Sequence, residues 1–331
     1  MIIQQPRPVL FMVIRVFVLF LCLQPSFAAG EDVVRRIGYI APDREADTAP
    51  WVSAFRERLR ELGYAEGKNV VIHSRYADYN LKILPELANE LVALNVEVIV
   101  ADSTPAALAA NHSTAAIPIV FPAVSDPIAV RLVKSLARPG ANVTGFSVMS
   151  PDLAGKRLGP LREMDPRIRR VAMLLVPENP TSAIQGSELQ AAAHALKLKL
   201  IPVLIRQPED IDRALRRLAG RADALFLTDD ALLDGHRNQI GEYAIKHRLP
   251  TLCGYRPPKD TTCLMWYGPD LVHQYKSAAE YVAKILGGVK PADLPVQQPT
   301  KFAFVINGRT AKALRIKIPQ SFVLSADAII N

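Results

Sequence analysis

The residues best suited to bind or react with a ligand in this 331-residue chain stand where apolar runs end. In the stretch "VIVADSTPAALAANHST" an apolar run stops at Asp102, and Ser103, Thr104 and Pro105 precede an alanine-rich segment. Proline suits the first turn of a helix, and serine or threonine before it can cap free N–H groups. The same N–H groups attract anions, because a helix N-terminus carries partial positive charge. This turn therefore predicts either an ordinary helix cap or a contact with an anionic ligand.

Polar side chains also stand where the other apolar runs end. They offer hydroxyl, amide and carboxylate groups, and the aromatic ones combine an apolar face with a polar tip. The candidate ligand-binding residues by type and position are Tyr39, Ser103, Thr104, Ser125, Ser147, Asn179, Asp229, Tyr255 and Trp266. Such groups hold a small polar ligand by hydrogen bonds, and a role in caps or core packing is the competing interpretation for each of them.

Catalytic chemistry finds little support in the sequence. Asp229 and Asp230 are adjacent carboxylates that suit acid–base work or metal binding, but such a pair more often forms a cap and an ion pair. The chain has no G-x-S-x-G elbow, no phosphate-binding loop and no G-x-G-x-x-G after the first apolar run. It also has no CxxC or HExxH metal motif. The sequence therefore predicts a binding protein, not an enzyme, with no cofactor and no metal.

The charge of the chain is positive but scattered. The formal net charge is +8, and the densest basic runs, at 167–170 and 213–217, are not interleaved with aromatic residues. Nucleic-acid recognition requires a patterned basic face. We therefore expect no nucleic-acid partner and interpret both runs as solvated helix faces.

The first residues resemble a secretory signal. Arg7 and Arg15 precede a short apolar run over 16–23, and small residues stand at Ser26 and Ala28. This pattern predicts export to the periplasm with cleavage after about Ala28, and an uncleaved N-terminal anchor is the alternative. The apolar run is too short to span a bilayer, and no later segment does so, which predicts a chain that does not span the membrane.

Two cysteines, Cys253 and Cys263, follow the expected signal. An exported chain enters an oxidising compartment, where two thiols can form a disulfide. The alternative is a pair of separately buried thiols. The sequence by itself leaves both arrangements open.

The elements that must position these side chains alternate between strands and helices. Strands are expected over 35–41, 68–77, 117–124, 141–148, 169–176, 198–205, 222–228, 249–255, 262–268 and 300–310, and within 96–114 a strand followed by a helix. Further helices are expected over 49–64, 81–94, 126–136, 182–196, 210–218, 232–247 and 269–286. The alternation predicts two α/β domains whose parallel sheets are covered by helices on both faces. Ligands bind beyond the carboxyl ends of such strands, where the candidate residues stand.

Four long segments carry a more specific resemblance. They read "DPIAVRLVKSLARPGANVTG", "LMWYGPDL", "ILGGVKPADLPVQQPTKFAFVIN" and "TAKALRIKIP". Through them the chain, from about Arg35 to its C-terminus, resembles the substrate-binding proteins of a bacterial ABC-transporter family that includes tryptophan- and tyrosine-binding members. The resemblance implies the type I periplasmic-binding-protein fold, in which two Rossmann-like, doubly wound lobes are joined by three crossovers and close on a ligand.

The family topology also implies the boundaries of the lobes. After a signal peptide over 1–28, lobe one takes 34–146 plus 269–300, and lobe two takes 147–268 plus 301–331. The resemblance matches Ser103 and Thr104 to the turn that holds a ligand carboxylate, and Ser125 and Asp126 to the next strand-end loop.

In lobe two the resemblance matches Asn179 and Asp229 to polar contacts, with Asp229 meeting a ligand amine. The chain departs from the family pattern at Thr262, Cys263 and Trp266, where members commonly have a glycine pair and a serine, and again over 255–260. Because these changes fall near the expected cleft, the resemblance does not identify a particular ligand.

The function that the resemblance implies is a monomeric periplasmic receptor. It would capture a small organic molecule, carboxylate-bearing and amino-acid-like or aromatic, and deliver it to ABC transporter permease subunits. Two other roles suit the same scaffold: a ligand-sensing partner of a chemoreceptor or sensor kinase, and an exported enzyme.

Overall fold

The structure is a computed structural model that describes residues 34–148, 150–254, 262–300 and 302–330. The expected signal peptide and its cleavage site lie outside the described residues, as does Tyr255. Among the helices of the described chain, none combines the length and the apolar character needed to cross a membrane.

A five-stranded parallel sheet forms the centre of the first lobe. Its strand order is β2-β1-β3-β4-β5. The strands are β1 (Arg35–Ala41), β2 (Val70–Tyr76), β3 (Val98–Ala101), β4 (Ile119–Val124) and β5 (Val143–Ser147). Because side chains alternate along a strand, Val98 and Val100 pack on one face of this sheet, and Ile99 and Ala101 pack on the other.

A seven-stranded sheet forms the centre of the second lobe. Its order is β12-β11-β10-β9-β8-β6-β7. The strands are β6 (Arg170–Leu175), β7 (Lys199–Leu204), β8 (Ala224–Leu227), β9 (Thr251–Cys253), β10 (Met265–Pro269), β11 (Phe302–Asn307) and β12 (Ala328–Ile330).

The α-helices cover both faces of each sheet. They are α1 (Glu45–Glu61), α2 (Leu84–Ala93), α3 (Ser103–Ser113), α4 (Ser150–Met164), α5 (Pro180–Ala195), α6 (Asp210–Arg217), α7 (Ala231–Gly235), α8 (Arg237–Lys246), α9 (Leu271–Leu286), α10 (Gly308–Leu314) and α11 (Gln320–Ser325). Helix α9 packs with α1 against the five-stranded sheet, so the chain returns to the first lobe after β10. The expected α/β class with two doubly wound lobes is confirmed, and the residue boundaries of the lobes remain a prediction.

One strand pair departs from the expected parallel order. Strand β11 pairs antiparallel to β10, whereas β10 is parallel to β9. The chain leaves β10 at the edge that faces the first lobe and re-enters the sheet from that edge after α9. Strand β11 must therefore run in the opposite direction.

The helix expected over 126–136 is wrong, because this segment forms consecutive turns. The Asp126 carboxylate accepts hydrogen bonds from the N–H groups of Ile128 and Ala129 and closes the first turn. Arg131 then adopts a left-handed backbone conformation with φ of 59°, which interrupts any helical run. The helix expected over 232–247 is divided into α7 and α8, and α4, α10, α11 and β12 were not expected from the sequence.

Candidate functional site

A cavity lies between the two lobes, at the carboxyl ends of strands from both sheets. The space between its atoms amounts to about 600 Å³ including open solvent, of which about 50 Å³ is accessible to the centre of a water molecule. It is lined by Pro42, Asp43, Trp51, Leu81, Asp102, Ser103, Thr104, Pro105, Ala123, Ser125, Asn179, Thr181, Asp229, Asp230, Ala231, Asp234, Leu271 and Tyr275. Five of the candidate residues, namely Ser103, Thr104, Ser125, Asn179 and Asp229, are brought together here.

The two lobes touch at the start of α3 and the start of α5. The Thr181 hydroxyl donates a 3.1 Å hydrogen bond to the Thr104 hydroxyl, and the Ser125 N–H donates to the same oxygen at 3.2 Å. Asn179 caps α5 by accepting from the Thr181 N–H at 3.0 Å. The N-termini of two helices, one from each lobe, therefore meet at one side of the cavity.

A second contact between the lobes is made by Tyr79, which follows β2. Its ring lies 5.1 Å from the His236 ring and packs within the apolar cluster of the second lobe. Its hydroxyl donates to Asp47, and the Arg44 guanidinium lies 5.0 Å above its ring. These contacts hold the lobes in a closed arrangement over the cavity.

Ser103 is held in a strained conformation at the start of α3. Its φ is 73°, in the left-handed region that serine rarely occupies, and within the described part of the chain its buried hydroxyl has no hydrogen-bond partner. Asp102 precedes the helix, but its carboxylate does not cap it. Strain of this kind persists where surrounding structure imposes it, and here it presents a hydroxyl at the cavity wall.

Asp229 forms a buried ion pair with Arg157 of α4, and both side chains are 0% exposed. Arg157 donates to the two Asp229 oxygens at 3.1 and 2.9 Å, and Gln185 donates to the same carboxylate at 2.8 Å. The remaining Arg157 N–H groups reach the carbonyls of Tyr267 and Gly254. Asp229 lines the cavity, but Arg157 already neutralises its charge. The sequence predicted a ligand amine as the partner of Asp229 and did not predict this ion pair.

Burial perturbs several other carboxyl groups of the cavity. It raises the pKa of Asp102 to about 6, although hydrogen bonding to tyrosine hydroxyls opposes the shift, and the Tyr39 hydroxyl donates at 3.2 Å. Burial likewise raises the pKa of Asp230 to about 6, against the donated N–H groups of Asn179 and Leu232. The pKa of Asp43 is raised well above its ordinary value by burial and then by the neighbouring carboxylates.

Four candidate residues do not line the cavity. Tyr39 is buried behind Asp102 and positions it, and Asp126 closes the turn after β4. The Ser147 hydroxyl donates to the Ser125 carbonyl at 2.9 Å, which anchors the first crossover. Trp266 is 1% exposed in the apolar cluster of the second lobe.

Several residues of the cavity were not singled out as ligand-binding residues from the sequence, although Asp43 and Asp102 fall in loops that the strand pattern marks as candidate site segments. Asp43 and Asp102 belong to strand-end loops, so their position indicates the cavity. The candidates in these loops were chosen for hydroxyl and aromatic groups instead of carboxylates. Trp51, Asp234 and Tyr275 lie within helices, where their amphipathic pattern is the same as that of core or surface residues. Only the packing of these helices against the cleft identifies them.

The Cα atoms of Cys253 and Cys263 lie 6.4 Å apart, and the structure pairs the two residues as a disulfide. This separation falls within the range of bridged cysteines. A bridge joining the end of β9 to the residues before β10 stays a prediction for the exported protein. In the described residues, no group of three or more His, Cys, Asp or Glu side chains is arranged to hold a metal ion.

Replacing Asp102 with asparagine is expected to stabilise the ligand-free protein at pH 7.5 by about 1–3 kcal/mol. Because the pKa of Asp102 is about 6 in the native state, the native protein keeps a proton that the unfolded chain has already lost. The stabilisation that this proton gives the native state is fully present below about pH 4, and it is lost as the pH rises through 6. Urea denaturation at pH 4.5, 6 and 7.5 should show a difference between variant and wild type that grows with pH.

The matched control is Asp165→Asn. The Arg167 guanidinium lowers the pKa of Asp165 by hydrogen bonding, so this variant should lose a little stability at neutral pH. If Asp102→Asn differs from the wild type by the same free energy of unfolding at all three pH values, then burial does not raise the pKa of Asp102.

The chain is similar in sequence to proteins of a known family. Residues 47–330 match the family described as ABC transporter substrate binding protein. The tyrosine-binding protein of Clostridioides difficile strain R20291 is 28% identical over 276 residues, which cover 83% of this chain and 78% of that protein.

Two solved structures share the fold. A conserved domain protein from Vibrio cholerae has a TM-score of 0.82 and 26% identity, covering 89% of this chain and 99% of its own. An ABC domain from Streptococcus pneumoniae, solved in complex with L-Trp, has a TM-score of 0.81 and 23% identity, with the same coverage of 89% and 99%.

Proposed function

Since this chain belongs to the family of ABC transporter substrate-binding proteins, we propose that it captures a small, carboxylate-bearing, amino-acid-like ligand between its lobes. We further propose that it does so in the periplasm and delivers the ligand to permease subunits in the membrane. The family and the type I periplasmic-binding fold agree with the resemblance read from the sequence. The periplasmic location is supported by the expected signal over 1–28.

The observation that carries this proposal is the position of the cavity. It lies between the lobes, and both lobes contribute polar side chains to it, Ser103 and Ser125 from the first and Asn179 and Asp230 from the second. A ligand that contacts both lobes stabilises the closed arrangement by its differential affinity for that state.

The start of α3 supports a carboxylate as part of the ligand. Eleven residues of helix begin at Ser103, and the partial positive charge of their N-terminus favours an anion. The unpartnered Ser103 hydroxyl adds a donor at the same place. The tyrosine-binding relative, 28% identical to this chain, makes an amino acid the first ligand class to test.

The experiment that tests the function is mass spectrometry of small molecules released from the purified, denatured protein. Recovery of a stoichiometric amino-acid-like compound supports the proposal. Calorimetry with L-tyrosine and L-tryptophan then measures affinity directly. If no compound is recovered and no amino acid raises the melting temperature, capture of this ligand class is contradicted.

Delivery is tested separately, by deletion of the gene and measurement of uptake of the compound so identified. Loss of uptake supports transport. Normal uptake with loss of a behavioural or transcriptional response to the compound would assign the chain to ligand sensing instead.

Replacing Ser103 with alanine is expected to weaken binding of L-tyrosine, the probe ligand, by about 10- to 150-fold. The variant removes one hydrogen bond to a charged group, worth about 1.5–3 kcal/mol. The melting temperature of the ligand-free protein should hardly change, because the hydroxyl has no hydrogen-bond partner among the residues that the structure describes. Calorimetry measures the affinity, and Ser113→Ala, at the other end of α3, is the control. If Ser103→Ala and Ser113→Ala bind the ligand with equal affinity, then Ser103 makes no ligand contact and only begins the helix.

Thr104→Ala should behave differently. Its hydroxyl accepts from the Ser125 N–H and bonds Thr181 of the second lobe. Loss of this oxygen should therefore lower both the affinity and the melting temperature.

A further inference from the structure

We propose that the bridge between Cys253 and Cys263 is a redox-sensitive positioning element of the cavity, so that its reduction lowers the affinity for the ligand. The inference rests on the proposed function, because it adds a means of regulation to the same site. Neither cysteine lines the cavity. The bridge acts through side chains that contact the residues beside it.

The first route from the bridge to the cavity begins at Gly254, the residue after Cys253. Its carbonyl accepts a 3.0 Å hydrogen bond from Arg157, and the same guanidinium binds the two Asp229 oxygens at 3.1 and 2.9 Å. A Cβ atom at Gly254 would overlap an Asp229 oxygen, so the backbone at the end of β9 lies directly against this carboxylate. A shift of Gly254 therefore displaces Arg157 and Asp229, and Asp229 lines the cavity.

The second route begins at Thr262, the residue before Cys263. Its hydroxyl donates to the carbonyls of Arg237 and Asn238 at 3.3 and 3.2 Å. Arg237 pairs with Asp234, another carboxylate of the cavity wall, at 3.1 Å. The residues next to both cysteines therefore support carboxylates that face the ligand.

The bridge fixes the ends of two strands that are otherwise joined by a short ladder. Among the described residues, β9 and β10 pair at two positions, Met265 with Leu252 and Trp266 with Cys253. The Cα atoms of Cys253 and Cys263 lie 6.4 Å apart across a sequence separation of 10. A covalent bond removes the loop entropy that opposes this approach. Its loss loosens the strand ends and, through both routes, the cavity wall.

The chemical step is thiol–disulfide exchange with a dithiol reductant. One thiolate of the reductant attacks a bridge sulfur, and the S–S bond breaks to give a mixed disulfide and a free cysteine thiolate. The second thiolate of the reductant then displaces the other cysteine and closes a disulfide within the reductant. The two cysteines gain two electrons and two protons, which the dithiol loses. Because Cys253 is 3% exposed and Cys263 is 1% exposed, attack requires the surrounding structure to open first.

Ligand affinity and reduction are then linked in both directions. If reduction raises Kd by a given factor, saturating ligand must raise by the same factor the ratio of reduced to oxidised dithiol at which half of the protein is reduced. Couplings between two such events usually amount to about 5- to 150-fold. A bridge that only stabilises the fold produces no shift of this kind.

The test compares the oxidised and reduced forms of the exported chain. Calorimetry with L-tyrosine, the probe ligand, should give a Kd about 5- to 150-fold higher after reduction with dithiothreitol. Counting free thiols across a series of dithiothreitol redox buffers, with and without L-tyrosine, should show the matching shift. In a Trp51→Phe background, Trp266 is the remaining tryptophan and lies opposite Cys253, so its fluorescence reports the state of the bridge, because disulfides quench nearby indoles.

Two variants separate positioning from stability. Cys253→Ser combined with Cys263→Ser removes the bridge, and it should bind L-tyrosine as the reduced wild type does, with or without dithiothreitol. Leu215→Ala is the matched control, because it removes buried apolar volume from α6 of the same lobe, away from the cavity. It should lower the melting temperature and keep the affinity of the oxidised wild type. An equal loss of affinity in Leu215→Ala would assign the effect to lower stability and overturn the inference.

A ligand-free measurement distinguishes failure of this inference from failure of the proposed ligand class. Amide hydrogen exchange over 228–236, which contains Asp229 and Asp234, should become faster on reduction, while exchange over 98–110 of the first lobe should not change. If L-tyrosine does not bind but exchange over 228–236 becomes faster, the ligand class fails and the action of the bridge on the cavity wall is supported. Unchanged exchange, equal affinity of the oxidised and reduced forms, or two free thiols in the protein isolated from the periplasm overturns the inference.

Discussion

Replacing Arg157 with methionine is expected to lower the free energy of unfolding by about 3–5 kcal/mol, the largest effect that the structure predicts for a single residue. The guanidinium is fully buried, and it binds the Asp229 carboxylate and the carbonyls of Tyr267 and Gly254. Methionine fills most of the volume but leaves Asp229 as a buried, uncompensated charge. Chemical denaturation followed by circular dichroism measures the loss.

Two further variants separate the charge from the packing. Arg167→Met removes a guanidinium whose side chain is 88% exposed, and it should change stability by less than about 0.5 kcal/mol. The double variant Arg157→Met with Asp229→Leu should be more stable than Arg157→Met alone, because an apolar pair replaces a lone charge. A double variant that is no better than the single one would mean that the carbonyl contacts, not the ion pair, carry the effect.

The second large effect is expected from Gly235→Ala, which should prevent closure of the lobes without unfolding either of them. A Cβ atom at this position of α7 would overlap the Tyr79 hydroxyl of the first lobe. Tyr79 cannot easily move aside, because Asp47 accepts its hydroxyl and the rings of Tyr79 and His236 are in contact. Overpacking of this kind costs about 1–3 kcal/mol, which corresponds to about 5- to 150-fold in Kd.

Calorimetry and small-angle scattering with saturating L-tyrosine, the probe ligand, measure this effect. The variant should bind weakly and remain expanded, while its ligand-free melting temperature stays close to that of the wild type. Gly159→Ala is the control, since a Cβ atom there meets nothing within 4 Å. Adding Tyr79→Ala to Gly235→Ala removes the overlap and should restore part of the compaction, because the closing contact between Tyr79 and His236 is lost with the ring. Full affinity in Gly235→Ala alone would show that the bound state does not use this contact.

Local sequence patterns were sufficient for most of the fold. Alternating strand and helix periods predicted both sheets, because these patterns depend on which face of each element is buried. They failed over 126–136, where apolar spacing resembled a helix but the Asp126 side chain closes a turn. Side-chain hydrogen bonds to nearby N–H groups compete with helix formation, and periodicity does not register them.

Part of the site could also be predicted from chain order. Ser103, Ser125 and Asn179 follow strands of a doubly wound sheet, and the carboxyl ends of such strands converge on one edge. Chain position relative to a strand was therefore enough to place these residues at the cavity wall.

The charge balance of the site could not be predicted in this way, because it depends on contacts between distant parts of the chain. Asp229 and Arg157 are 72 residues apart, and no local spacing indicates that one neutralises the other. Asp43, Asp102 and Tyr275 are also distant in sequence, since they come from the ends of two strands and from a helix that returns to the first lobe after β10. Whether a carboxylate has a counter-charge depends on which distant elements pack against it, because burial and counter-charge are properties of the assembled interior.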